Sequence, residues 1–263
     1  MAAIPWELGI AVFFLVLARL APMVFATPFF GGRRVSATVR LVVSLALAAV
    51  MMPIAWPAGA TAVFRPAHGV ALLALKEGLI GLILALMVAI VFAAIEAAGR
   101  LIDLSRGAQM SQVLTGQNAE PTSPFGALLV LYAVVVFMAI GGHRMVLAAL
   151  ARTYSVVPLF GWPAQAAWGG IARLVIVLGQ EFFLIAFGLA APILAVNFLV
   201  EISIGLAGKL APQMPAYFVG LPLKAWGGVL IVFLVLPWAV AWFHTVFTTG
   251  LQALTRAVGL LAQ

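Results

Sequence analysis

The stretch Gly78–Ile95, GLIGLILALMVAIVFAAI, decides the fold class. It is an uninterrupted charge-free run, and with its apolar flanks (Val70–Ala98) it reaches the roughly 20 residues that a membrane-crossing helix needs. Lys76 and Glu77 stand before it and Glu96 closes it. The residues do not alternate between apolar and polar, so the run reads as a helix and not as a strand of an outer-membrane barrel.

The rest of the chain has the same character. Of its 263 residues 65% are hydrophobic and only 8% are charged, and the mean hydropathy is +1.22. A soluble domain carries about 25% charged residues, so this chain cannot cover a globular surface with polar groups. The expected fold is an all-α polytopic membrane protein of helical hairpins, with about six long apolar helices and further broken segments, forming one membrane domain over residues 1–263.

Besides Val70–Ala98, the expected spans are Leu8–Phe30, Leu41–Phe64, Phe125–Gly142, Leu174–Val200 and Ala225–Phe247. The N-terminal stretch has no basic residue before Arg19 and carries Glu7, so it reads as a retained first span and not a secretory signal. Tyr154–Gly170, with Pro158, Pro163 and several glycines, is expected to be a loop or interfacial segment. Ile202–Leu223, with Lys209, Pro212, Pro215 and Pro222, is expected to be a broken connection. Trp162 and Trp168 suit a membrane interface. Lys and Arg divide almost evenly between the two sets of loops, so the usual bias towards one side gives no orientation.

Chemistry has little to work with. The chain has no cysteine and seven acidic residues, of which Asp103 is the single aspartate. Carboxylate-rich two-metal sites are out of reach. His68, His143 and His244 are far apart, and there is no HExxH, GxSxG or phosphate-binding loop. No enzyme, cofactor or metal site is expected. The net charge of +7 lies in scattered Lys and Arg at helix ends, without the basic patch and interleaved aromatics of a nucleic-acid binder.

One stretch stands out against this background: Leu101–Gly126, LIDLSRGAQMSQVLTGQNAEPTSPFG. The other ionisable groups in or near apolar segments are functional candidates because their burial is costly. Glu96, Arg100 and Asp103 share a face if the third helix continues that far, either as a polar stripe or as an ion-pair ladder at a helix end. Arg19, in mid-span, needs an inter-subunit partner or a route to water. Asn197 and Glu201 form an i,i+4 pair near Lys209, and Glu181 stands alone with an expected buried pairing role. Lys224 precedes the last span.

Ile102-Asp103, then Arg106-Gly107-Ala108, then Glu120 before Thr122-Ser123 resemble the FliR/SctT family, inner-membrane export-apparatus proteins of type III secretion systems. Ala18–Ala48, Lys76–Gly81, Ala211–Pro215 and Gly220–Lys224 are similar to other parts of the family pattern. Arg106-Gly107-Ala108 with Glu120-x-Thr122-Ser123 looks more like the virulence-type (injectisome) member than the flagellar one. Thr115–Asn118 departs from the turn expected there.

The resemblance implies a non-enzymatic subunit that assembles with SctR-like and SctS-like proteins, beside a SctU-like switch protein and a large SctV-like export gate. Unfolded proteins would pass through the centre of this assembly. It also implies a multi-pass protein of the bacterial inner membrane, displaced towards the periplasm when assembled.

The resemblance makes about residues 101–124 a plug-like loop, with Arg106, Gly107, Gln109, Met110, Gln112, Gln117, Asn118 and Glu120 as pore or plug candidates. Met110 and Gln112 would close the pore, while Arg106 with Glu120 or Asp103 would tether the loop. Arg19, Glu96, Arg100, Asp103, Glu181, Asn197, Glu201, Lys209 and Lys224 become structural or inter-subunit polar contacts. The alternatives are the flagellar paralogue and a secondary transporter with a midplane site at Glu181, Asn197 and Glu201.

Overall fold

The computed structural model describes residues 6–30, 32, 35–56, 69–107, 123–163, 167–210, 213 and 216–261. Among these there are seven α-helices and no strand. They are α1 (Trp6–Ala26), α2 (Ala37–Ala55), α3 (Gly69–Ser105), α4 (Pro124–Ala139), α5 (Gly142–Val156), α6 (Ala167–Leu210) and α7 (Ala216–Leu260). Five of them, α1, α2, α3, α6 and α7, are long and apolar enough to cross a membrane. Together α4 and α5 make a sixth candidate, bent by 70° between them.

The bend has a local cause. Gly141 has a φ of 74°, in the left-handed region that glycine enters without strain. The Phe137 ring packs directly against Gly142, where a side chain would collide with it.

Several expected boundaries are corrected. Helix α3 runs on to Ser105, seven residues past Ala98. The region after Gly142 is helix α5, and the supposed loop Tyr154–Gly170 is helical at both ends, leaving Val157–Pro163 as its non-helical described part. Ile202–Leu210 continues α6 and Ala216–Leu223 opens α7, so most of the expected broken connection is helical. These errors share one origin: length of apolar run is a criterion for spanning lipid, and a helix needs no such run. Helix α5 shows this, burying Val146, Ala149, Leu150, Thr153 and Tyr154 while Arg144 and Ser155 stay exposed.

The residues group into two compact units, and the points of division fall inside or at the ends of helices. The first unit holds Met1–Ile90, Phe137–Gly179 and Phe247–Gln263. Its centre is the inner stripe of α1: Leu8, Val12, Val16, Leu20 and Met23, spaced by three or four residues. Arg19 lies on the same stripe and is fully buried. Helix α3 comes so close to α1 that a Cβ at Gly81 would fall on the Arg19 carbonyl. Phe137 packs between Phe29 and Phe247, with ring centroids 4.9 and 5.1 Å away.

The second unit holds Val91–Val136 and Gln180–Val246. Gly99 of α3 meets Gly126 of α4 backbone to backbone. A small apolar cavity beside this crossing is lined by Ile102, Leu129, Leu189, Ile193, Val232 and Leu236, among others. The Tyr132 hydroxyl donates to the Leu236 carbonyl at 3.2 Å, so the polar tip of a half-buried aromatic is satisfied.

Candidate functional site

In the second unit, the residues on either side of 108–122 are built into a polar platform. Helix α3 ends with Gly107 at a φ of 73°, a glycine stop that lets the last carbonyls find donors. Gly107 N–H donates to the Leu104 carbonyl and Arg106 N–H to that of Ile102.

Helix α4 begins with Ser123-Pro124, a side-chain cap followed by the residue best suited to a first helical position. Ser123 Oγ accepts from Gly126 N–H at 3.0 Å. The same hydroxyl donates to Asp103 Oδ2 at 2.6 Å, and Phe125 N–H donates to that oxygen at 3.0 Å. One buried carboxylate on α3 therefore satisfies the open amino end of α4, where the helix dipole favours negative charge.

Arg106 completes the platform. Its guanidinium lies 3.8 Å from Asp103, donates to the Ala225 carbonyl at 3.0 Å and stacks 4.4 Å above the Phe125 ring. Burial pushes the Arg106 guanidinium down and the Asp103 carboxylate pulls it back up. Helix α6 is attached through Asn197 Nδ2, which donates to Ser105 Oγ at 2.7 Å. Of the plug candidates, only Arg106 and Gly107 are described; Gln109, Met110, Gln112, Gln117, Asn118 and Glu120 lie outside the described residues.

Asp103→Ala removes the acceptor of two donors. It is expected to cost about 1–3 kcal/mol, read as a lower melting temperature in detergent. Asp103→Asn keeps an acceptor oxygen and should lose less; equal losses would show that the hydrogen bonds to Ser123 and Phe125 are not the cause.

The other predicted residues separate. Glu96 and Arg100 pair with each other on an exposed face of α3, whereas Asp103 turns inward, so no three-member ladder forms. Asn197 and Glu201 do not act as a pair, and Lys209 is exposed, with no polar partner among the described residues. Glu201 instead reaches Lys224 of α7 at 3.1 Å. Glu181 is half-buried without a polar partner among the described residues, contrary to its expected pairing.

Arg19 needs neither another subunit nor a route to water. Its Nε donates to Glu77 Oε2, and the remaining nitrogens reach Thr153 Oγ1 at 2.9 Å and the Val157 carbonyl at 3.0 Å. The Tyr154 ring lies 4.3 Å from the guanidinium. Lys76 Nζ pairs with Glu77 Oε1 at 2.7 Å and donates to the carbonyls of Leu159 at 2.9 Å and Gly161 at 2.6 Å.

Two cations thus share one carboxylate. The excess positive charge faces the carboxyl end of α5 and the turn after it, where the carbonyl dipoles favour a cation. Sequence reasoning saw Arg19 and Glu77 separately. The usable signal was that they are opposite charges isolated in two apolar helices. Every cationic group in this cluster is held by hydrogen bonds, which suits a structural clamp. Among the described residues no group of three or more His, Asp or Glu could hold a metal.

Comparison with known proteins agrees with an export protein. The sequence profile of bacterial export proteins, family 1, matches residues 10–250. The surface presentation of antigens protein SpaR of Shigella flexneri is 29% identical over 233 residues, covering 87% of this chain and 88% of SpaR. The flagellar biosynthetic protein FliR of Bacillus subtilis is 26% identical over 217 residues, 81% of each chain. The Yop proteins translocation protein T of Yersinia pestis is 30% identical over 154 residues, 57% of each. Injectisome-type and flagellar relatives are thus about equally close. With nearly its whole length matched and its apolar helices, the chain is a multi-pass membrane protein belonging to family 1 of the bacterial export proteins, the FliR/SctT family.

Proposed function

We propose that this protein is a non-enzymatic core subunit of a virulence-type type III export apparatus, and that residues 108–122 plug its protein-conducting pore. It would sit in the bacterial inner membrane, displaced towards the periplasm on assembly with SctR-like and SctS-like subunits. A SctU-like switch protein and a SctV-like gate would stand beside it. The observation that supports the plug is that the described residues flanking this segment, Asp103 and Arg106 on one side and Ser123 and Phe125 on the other, are joined directly.

Deleting Gln109–Asn118 is the test. Ion conductance of membranes carrying the assembled complex is expected to rise, with SctR-like and SctS-like partners still co-purifying. Unchanged conductance in an intact complex would overturn the plug. The transporter alternative is disfavoured by placement: Asn197 is engaged by Ser105, Glu201 by Lys224, and Glu181 by neither. The virulence-type assignment over the flagellar one rests on Arg106-Gly107-Ala108 and Glu120 in the loop.

A further inference from the structure

Arg106 touches three elements, and the contacts are unequal. Its Nη2 donates to the Ala225 carbonyl of α7 at 3.0 Å. The Asp103 carboxylate of α3 is farther off, at 3.8 Å, and the Phe125 ring of α4 lies 4.4 Å from the guanidinium. At 3.8 Å an ion pair is beyond hydrogen-bond reach. The closest attachment of Arg106 is therefore to the backbone of α7.

A carbonyl in a helix accepts from the N–H four residues on and keeps a second lone pair. Side chains lean back over the turn that precedes them, so the residue three positions on usually covers that lone pair. For Ala225 that residue is Gly228, which has nothing to cover it with. Gly228 is buried, and Arg106 fills the place of its missing side chain. A Cβ at Gly228 would lie 2.5 Å from both Cδ and Nε of Arg106 and 3.1 Å from its Cγ. Arg106 Nε is buried without a hydrogen-bond partner among the described residues, so close fit holds the stem while one hydrogen bond holds the tip.

Gly227 supplies the contrast. Nothing comes within 4 Å of its would-be Cβ. Glycine weakens a helix interior, and α7 carries two in succession, of which only Gly228 admits another residue. We infer that Gly228 is a positioning residue: its notch in α7 seats Arg106 and so fixes the point from which residues 108–122 begin. The inference rests on the plug reading above and adds the helix on which the plug's closed position depends. Asp103 steers the charge, and α7 sets the place.

The test compares Gly228→Val with Gly227→Val. In membranes carrying the assembled complex, Gly228→Val should raise ion conductance towards that of the Gln109–Asn118 deletion, while Gly227→Val stays at the parent level. In detergent, Gly228→Val should lower the melting temperature by about 2–12 °C, the usual range for overpacking in a chain of this size. In an Arg106→Ala background the same valine should lower it little, because it then occupies vacated space. That double variant should melt like Arg106→Ala and still leak, a combination that a merely structural role does not give. Where Gly228→Val prevents assembly, Arg106→Ala, which empties the notch without overfilling it, carries the conductance test and should leak.

Melting losses that simply add would overturn the seat. Parent-like conductance of the Gly228→Val complex, or of Arg106→Ala in its place, beside a leaking deletion would overturn the positioning role and leave the plug standing. A deletion that does not leak overturns the plug and the positioning role with it, and the melting comparison still decides whether Arg106 sits in the notch.

Discussion

Glu77→Ala is expected to remove about 3–5 kcal/mol of stability, the usual cost of breaking a buried ion pair from one side. Arg19 and Glu77 are both fully buried and Lys76 nearly so. Without the carboxylate, two cations remain inside an apolar unit with carbonyls, a threonine hydroxyl and the Tyr154 ring around them but no counter-charge among the described residues. Domains have about 5–15 kcal/mol of stability in total, so the variant should accumulate poorly in the membrane and unfold at much lower denaturant in detergent. The triple variant Arg19→Met, Lys76→Met and Glu77→Leu tests the cause. Apolar replacement of a complete buried ionic cluster is often neutral or stabilising, so it should recover most of the loss. A single variant as stable as the parent, or a triple variant no better than the single, would refute the clamp.

Gly99→Leu is expected to separate α3 from α4. A Cβ at Gly99 would overlap the Cα and N of Gly126 and lie 2.7 Å from the carbonyl carbon of Phe125. These are backbone atoms, which cannot rotate away. Overpacking against side chains typically costs about 1–3 kcal/mol, and here the whole crossing must open. The Asp103 bonds to Ser123 and Phe125 lie one turn away and should be lost with it. Gly227 has open space around its would-be Cβ, so Gly227→Ala should be neutral or gain up to about 1 kcal/mol from helix propensity. The expected order of melting temperatures in detergent is Gly99→Leu below Gly99→Ala, below the parent, with Gly227→Ala at or above it. Parent-like melting of Gly99→Leu would mean that the two backbones do not touch.

Much of this architecture was legible in the sequence. Apolar runs such as Gly78–Ile95 can be satisfied in lipid only as helices, so class and approximate span number followed without coordinates. Family membership was legible as well, in Ile102-Asp103, Arg106-Gly107-Ala108 and the later proline motifs. Helix ends were not. Ile202–Leu210 and Gly142–Val156 carry charges and small polar residues, and these interrupt an apolar run without interrupting the hydrogen bonds of a helix.

The site divides in the same way. Asp103 and Arg19 were legible as residues too costly to bury without a reason. Their partners were not: Ser123 lies 20 positions from Asp103 and Glu77 lies 58 from Arg19. The sequence by itself determined that this chain belongs in a membrane, that its helices are apolar, and that a few charges must find partners there, because each residue carries its own cost of transfer from water. Tertiary structure alone decided which charges pair, which face outward, and that Gly81 and Gly99 are the points of closest approach. Those outcomes depend on distances between helices, and no residue type encodes a distance.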